Sequence, residues 1–291
     1  MNSSIRSKQI IIVGAILLLA AFLFTRDIKG LVKPTEENGK MPSTGQMAGG
    51  ESASSAVLSI ETTSTAAKNV LNKNLATDII ALENSYKGAT GTEKTELAKQ
   101  LAQKWDDVEQ ITPSALYLEV VAQNEPSSKT WLAAGNQFIK AFESTQDSLA
   151  QPALLQKANA SYKNALEKDS TNIEAKTGLG VTIVNGLGAP MQGIAMLLEV
   201  VAKEPENVKA NMNLGLFSIK SGQFDKAIPR FKTVIAEAPT PEAYFYLGTA
   251  YENLGRNKEA VDAYLTSKKL AANPTLSSFI DKKVAELKNK N

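Results

Sequence analysis

Few residues of this sequence have the type and spacing that chemistry requires. Among its 291 residues there is no His and no Cys. Without His there is no Ser-His-Asp arrangement, no imidazole general base and no imidazole ligand for a transition metal. Without Cys there is no thiolate nucleophile, no thiolate zinc site and no disulfide. Carboxylates and glycines remain. Glu36-Glu37 and Asp106-Asp107 are adjacent pairs, and neighbours along a helix do not face each other, so both read as solvated. The run GLGVTIVNGLG, residues 178–188, is glycine-rich, but no strand precedes it and no phosphate-binding pattern is completed. Trp105 and Trp131 have the spacing of packed core residues. The lysines between Lys282 and Lys290 read as a solvated face, with contact to acidic lipid or protein as the alternative. The expectation is a protein that binds rather than catalyses, with no catalytic residues, cofactor or metal.

Composition agrees with that direction. Lys and Arg number 32 against 30 Asp and Glu, a net charge of +2, too near neutral for a nucleic-acid coat. With 43% hydrophobic and 21% charged residues, the chain can bury a core as one large domain or two small ones.

Residues 10–24, IIIVGAILLLAAFLF, carry no charge. At about 1.5 Å per residue they make roughly 22 Å of helix, short of the ~30 Å hydrocarbon core. Extending to residues 9–25, with Lys8 and Arg26 reaching to the two rims, brings the segment to the spanning limit. Residues 1–26 are therefore expected to be an uncleaved single-pass anchor in the inner (plasma) membrane. A cleaved signal peptide and a buried core helix are the alternatives. Against cleavage, Thr25, Arg26, Asp27, Ile28 and Lys29 follow the run without a small-x-small pair. Arg6 and Lys8 precede it, while Arg26, Lys29 and Lys33 follow it, so the positive charge is close to a tie and slightly favours a cytoplasmic body. A short head before a first apolar segment behaves more often as a signal anchor, which places the body on the periplasmic or extracytoplasmic side. A cytoplasm-facing body is the alternative.

Residues 27–61 are expected to be a disordered linker. The stretch MPSTGQMAGGESASSA, residues 41–56, has no apolar period with which to bury a face. About 30 such residues reach about 30 Å, enough to hold a domain clear of the headgroups. A disordered recognition motif is the alternative to a plain spacer.

The elements that must do the binding repeat themselves. Three Leu-Gly pairs, Leu179-Gly180, Leu214-Gly215 and Leu247-Gly248, recur at about a 34-residue interval. A second helical stretch follows each, with a small residue, then a bulky one, then a small or β-branched one. The trios are Gly193, Leu197 and Val200; Ala227, Phe231 and Val234; and Ala260, Tyr264 and Ser267, with Pro205 and Pro239 closing the first two units. An irregular copy precedes them: Trp131, Gly135 and Phe138, then Ala158, Tyr162 and Ala165, with a long inserted loop expected around Glu143 to Pro152. Further upstream, Ala98, Leu101 and Trp105, then Ser114, Leu118, Val121 and Pro126, read as a decayed copy. At the other end Leu276, Phe279, Ile280, Val284 and Leu287 share one helical face opposite Lys282, Lys283, Glu286 and Lys288, the pattern of a capping helix. Pro229 is expected to bend one second helix, and Leu187 to Pro190 lengthen a turn.

This small–bulky–small–Pro pattern resembles the tetratricopeptide repeat. The expected fold class is all-α: a helical-hairpin solenoid with a C-terminal capping helix, preceded by a single N-terminal transmembrane helix. Residues 62–128 form a helical N-terminal part, residues 129–272 the repeats and residues 273–291 the cap. In architecture the chain is similar to membrane-anchored tetratricopeptide proteins of bacterial envelopes, some of which accompany the secretion channel as chaperone accessories. The resemblance implies a scaffold or adaptor with a protein partner. A self-associating structural component is the alternative.

The resemblance also implies a concave groove lined by the first helix of each pair. Its rows are Leu132, Asn136, Ile139 and Lys140; Thr177, Val181, Val184 and Asn185; Met212, Leu216, Ile219 and Lys220; and Phe245, Thr249, Glu252 and Asn253. The centre of that face is apolar, which favours an occupant. The occupant could be a client segment, a second copy, or the chain's own residues 62–86, where Val70, Leu71, Leu75, Ile79, Leu82 and Tyr86 form a stripe. Asn136 and Asn213 are present, but the lysines of a carboxylate clamp are not at the required places.

Overall fold

A computed structural model of the chain describes residues 58–187 and 190–289. The expected anchor and most of the expected linker lie outside these residues, as do Gly188 and Ala189 of the lengthened turn. Among the described residues there are thirteen helices and no strand. None of the helices is long and apolar enough to cross a membrane.

The chain turns helical two residues earlier than the linker expectation allows. Helix α1 spans Ile60–Lys68, because the Ser59 side chain accepts from the Thr62 amide and Glu61 sits in the first turn. Helix α2, Lys73–Gly88, follows. Then come five antiparallel hairpins. They are α3 (Gly91–Asp107) with α4 (Ile111–Asn124), α5 (Ser128–Ser144) with α6 (Gln151–Lys168), and α7 (Ile173–Val184) with α8 (Pro190–Lys203). The last two are α9 (Val208–Lys220) with α10 (Phe224–Glu237), and α11 (Pro241–Asn253) with α12 (Asn257–Leu270). Helix α13, Pro274–Lys288, closes the array against α12.

Local chemistry sets these boundaries. Asn172, Asn207 and Thr240 cap α7, α9 and α11, each accepting from the amide three residues on. The turns inside the last three hairpins share one pattern. Gly186, Gly222 and Gly255 have positive φ, and the amide of the next residue returns to a carbonyl five residues back. The α3–α4 turn has the same hydrogen bond, from the Gln110 amide to the Trp105 carbonyl, with Glu109 at φ 58 in the glycine's place. That turn makes the expected decayed copy a helix pair of the same kind as its successors.

The repeat glycines are close-packed positions, but not all of them meet the same kind of neighbour. Only Gly180 faces a small residue of its partner helix, where a Cβ on Gly193 would stand 2.7 Å from the Gly180 carbonyl oxygen. Elsewhere the glycine makes room for an aromatic ring. A Cβ on Gly215 would meet Phe231 at 2.7 Å, and one on Gly248 would meet Tyr264 at 2.8 Å. Tyr162 wedges between two successive first helices, against Gly135 of α5 and Gly178 of α7. Tyr162, Leu197, Phe231 and Tyr264 are fully buried, and so are Ala227 and Ala260.

Two further expectations change, on the α5–α6 link and on Phe279. The extra residues of the α5–α6 hairpin are not a long loop. They lengthen α5 to 17 residues and α6 to 18, against 12 and 14 in α7 and α8, and leave only a short link between them. Pro229 lies exposed inside a continuous α10. Phe279 of the cap is 48% exposed, while Ile280, Val284 and Leu287 are buried.

Of the stripe on residues 62–86 only Ile79 is buried; Leu71, Leu82 and Tyr86 are half-buried against the N-terminal end of the array, and Val70 and Leu75 are exposed. Helix α1 packs on α4, and α2 packs on α3. Ile79 joins Ala98, Leu101, Trp105, Tyr117 and Val121 in one core cluster, with Leu71, Leu82 and Tyr86 at its margin. A buried carboxylate fastens this part. Glu83 of α2 accepts from Ser64 and Lys68 of α1, and from the Tyr117 hydroxyl of α4.

Candidate functional site

The expected groove residues fall on α5, α7, α9 and α11, one row per hairpin. They do not all offer surface. Ile139 and Val181 are buried in the core, at 3% and 2% exposure, and Thr177 is buried too. Leu132 is half-buried against the α5–α6 core, and Val184 against the α7–α8 core. Met212, Leu216, Ile219 and Phe245 are half-buried around the C-terminal core. The partly open apolar surface is thus concentrated on α9 and α11.

Aromatic rings extend it. The Phe245 ring lies 5.7 Å from that of Tyr246, 5.5 Å from Tyr264 and 6.0 Å from Phe279 of the cap. Tyr246 in turn stacks on the buried Phe231 at 5.8 Å. Sequence reasoning assigned Phe279 to the cap's buried face and passed over Tyr246. The spacing between α11 and α13, which joins Phe279 to Phe245, is not encoded in either helix alone.

Several of the expected polar contacts are engaged within the fold. Asn136 accepts from the Tyr162 hydroxyl at 2.8 Å and donates to Glu174 at 2.8 Å. Lys140 pairs with Asp106 at 2.9 Å. That hydrogen bond, with a second from Gln137, holds the Asp106 carboxyl below its usual range. Asn185 and Asn213 donate to backbone carbonyls of their own helices, and Thr249 donates to the Phe245 carbonyl. Tyr264 donates to Glu252 at 2.7 Å, and burial pushes its hydroxyl pKa up. Asn253 donates to the Thr249 carbonyl. Lys220, at the end of α9, is exposed.

One charged group was not singled out by the sequence. Glu143, on the extension of α5, is exposed to solvent yet crowded by protein around it. Burial raises its carboxyl pKa, Lys209 of α9 lowers it, and Glu242 of α11 raises it again. Three helices from different hairpins therefore bring ionisable groups within one another's field.

Chemically, the arrangement offers apolar and aromatic area with a mixed-charge margin. Among the described residues, no group of three or more Asp or Glu gathers to hold a metal ion.

Successive antiparallel pairs, four of the five with a glycine of the first helix receiving a bulky side chain of the second, define a tetratricopeptide-type helical array. Such arrays are generally non-catalytic scaffolds. Residues 219–275, from the end of α9 to the start of α13, match the tetratricopeptide repeat family model. Among solved structures the chain is similar to TTC0263, a thermophilic tetratricopeptide protein of Thermus thermophilus. The TM-score is 0.51 at 17% identity, over 66% of this chain and 99% of that one. It is also similar to MamA, residue 41 to the end, from Desulfovibrio magneticus RS-1, with TM-score 0.47 and 18% identity over 62% and 97% of the two chains. YrrB, described as a tetratricopeptide protein with an unusual peptide-binding site, gives TM-score 0.43 and 16% identity over 64% and 91%. No curated protein matches the sequence.

Proposed function

We propose that this chain is a scaffold that holds another protein against the face formed by α9 and α11, and that its N-terminal segment tethers it to a membrane. The observation that carries the first part is the half-buried cluster of Met212, Leu216, Ile219 and Phe245, extended by Phe279. Apolar area presented by successive helices of a repeat array suits an amphipathic or extended client segment. The uncharged run of residues 10–24 between Lys8 and Arg26 supports the tether. We place the body on the extracytoplasmic side, where clients would be envelope proteins in secretion or assembly and the array would serve them as a chaperone-like adaptor.

Replacing Leu216 and Ile219 together by Glu tests the surface. The expected outcome is loss of the client with an unchanged melting curve, since both side chains are only half-buried. A collapse of the melting curve would make them core residues and remove the surface. The absence of Cys makes the location testable with Lys288→Cys on the exposed end of α13. Labelling of intact cells by a thiol reagent that does not cross the inner membrane supports the extracytoplasmic body. Labelling only after lysis places the body, and its clients, in the cytoplasm.

A further inference from the structure

The two ends of the array carry complementary surfaces. At the N-terminal end, a cleft of about 480 Å³ opens between α2 and the last turn of α3. Leu71, Leu75, Ile79 and Val108 give it an apolar lining. Asp78, Asp107 and Glu109 line it too, against a single lysine, Lys104. Beside it Val70 is 73% exposed, and Leu75 within it is 41% exposed. At the C-terminal end, Leu270 of α12 is 46% exposed and Phe279 of α13 is 48% exposed. Lys269 and Lys282 lie exposed beside them and have no ion pair among the described residues.

We propose that the α2–α3 cleft docks the α12–α13 end of a second copy of this chain, head to tail. Charge decides the pairing. Two clefts face to face would oppose Asp78, Asp107 and Glu109 to themselves. At the C-terminal end Asp281 is already paired with Lys268 and Glu286 lies one turn beyond Lys282, which leaves Lys269 and Lys282 to face each other across two such ends. The mixed contact sets apolar against apolar and carboxylate against ammonium. A contact between two different patches leaves one of each unfilled on every pair, so it propagates into a chain or closes into a ring. This contact uses neither Leu216 nor Ile219 but shares Phe279 with the proposed client face; the Leu216→Glu, Ile219→Glu variant tells the two apart, since it should lose the client and keep the cross-link.

Single cysteines test it in the full chain, in its own membranes, because the native sequence has none. Asp78→Cys and Lys282→Cys proteins are expressed separately and together, and the membranes are oxidised. The expected result is a disulfide-linked dimer on co-expression and in neither protein alone, and a ladder of multimers from the variant carrying both cysteines. With the cysteines moved to Leu75 and Ser278, Lys282→Glu should lower the cross-linked fraction about tenfold, and adding Asp78→Lys should restore it. Dimers formed by either single-cysteine protein alone would show a face-to-face contact and overturn the proposal. So would the absence of any cross-link on co-expression, or a charge reversal that leaves the yield unchanged.

Discussion

The ring of Tyr162 occupies the place that a side chain on Gly178 would need: a Cβ there would stand 2.3 Å from Tyr162 Cζ. The ring cannot easily yield, since it is fully buried and its hydroxyl is tied to Asn136. The contact joins α6 to α7, so it holds one hairpin to the next.

Gly178→Ala should therefore destabilise the array. Replacing a helical glycine by alanine ordinarily gains about 1 kcal/mol, but overpacking a full core costs about 1–3 kcal/mol. With three ring atoms within 2.6 Å of the new methyl group, the cost should win. Gly88→Ala, with nothing within 4 Å of the added carbon, is the control and should raise stability slightly. Thermal melts of both variants decide the matter. Equal shifts would mean the ring moves aside freely.

Glu109→Gly should stabilise the protein. Its φ of 58 places a side chain in the left-handed region, which costs about 1–2 kcal/mol for a residue other than glycine. The equivalent turn positions hold Gly186, Gly222 and Gly255. Denaturant unfolding should show a gain of about 1 kcal/mol, reduced somewhat by the extra freedom of glycine in the unfolded chain. A loss would indicate that the side chain contributes more than its backbone strain costs.

Glu83→Ala should loosen α1 before anything else. The substitution leaves the Lys68 ammonium and Ser64 without their acceptor, and breaking a buried pair costs about 3–5 kcal/mol. Hydrogen exchange should rise over residues 60–68 while the hairpins from α5 onward keep their protection. Uniform acceleration would mean that α1 unfolds only with the whole array.

Glu143→Gln should stabilise the chain near neutral pH. The folded carboxyl pKa is raised, so the charged form is less favoured in the native state than in the unfolded chain. Wild-type stability from this group is fully present below the unfolded pKa and is lost as pH rises through the folded one. The advantage of the glutamine variant should therefore appear at pH 7 and shrink below about pH 4. A gain that does not vary with pH would place its origin elsewhere.

The repeat register was legible because a bulky side chain of each second helix needs a glycine opposite it at fixed intervals. That requirement leaves a mark at Gly180, Gly215 and Gly248 whatever the surrounding residues are. The α3–α4 hairpin was fainter, since Glu109 stands where its relatives have glycine. The stripe of Ile79, Leu82 and Tyr86 revealed that a face is buried but not what buries it, and here it is α3 and α4. The α5–α6 link was misread because helix-favouring residues on either side of it simply extended both helices. In the groove, register alone could not separate the buried Ile139 and Val181 from the half-open Leu216. Nor could it show that Lys140 is committed to Asp106, 34 residues away.

The most direct test of a docking face on α9 and α11 is site-specific photo-cross-linking in the full chain within native membranes. A photoreactive residue at Met212 samples that face, and one at the exposed Asp262 of α12 samples a second helix away from it. The expected result is a discrete protein adduct from position 212, absent from 262 and lost when Leu216 and Ile219 are replaced by Glu. Adducts of equal yield from both positions, or an adduct at 212 that survives the double substitution, would contradict it.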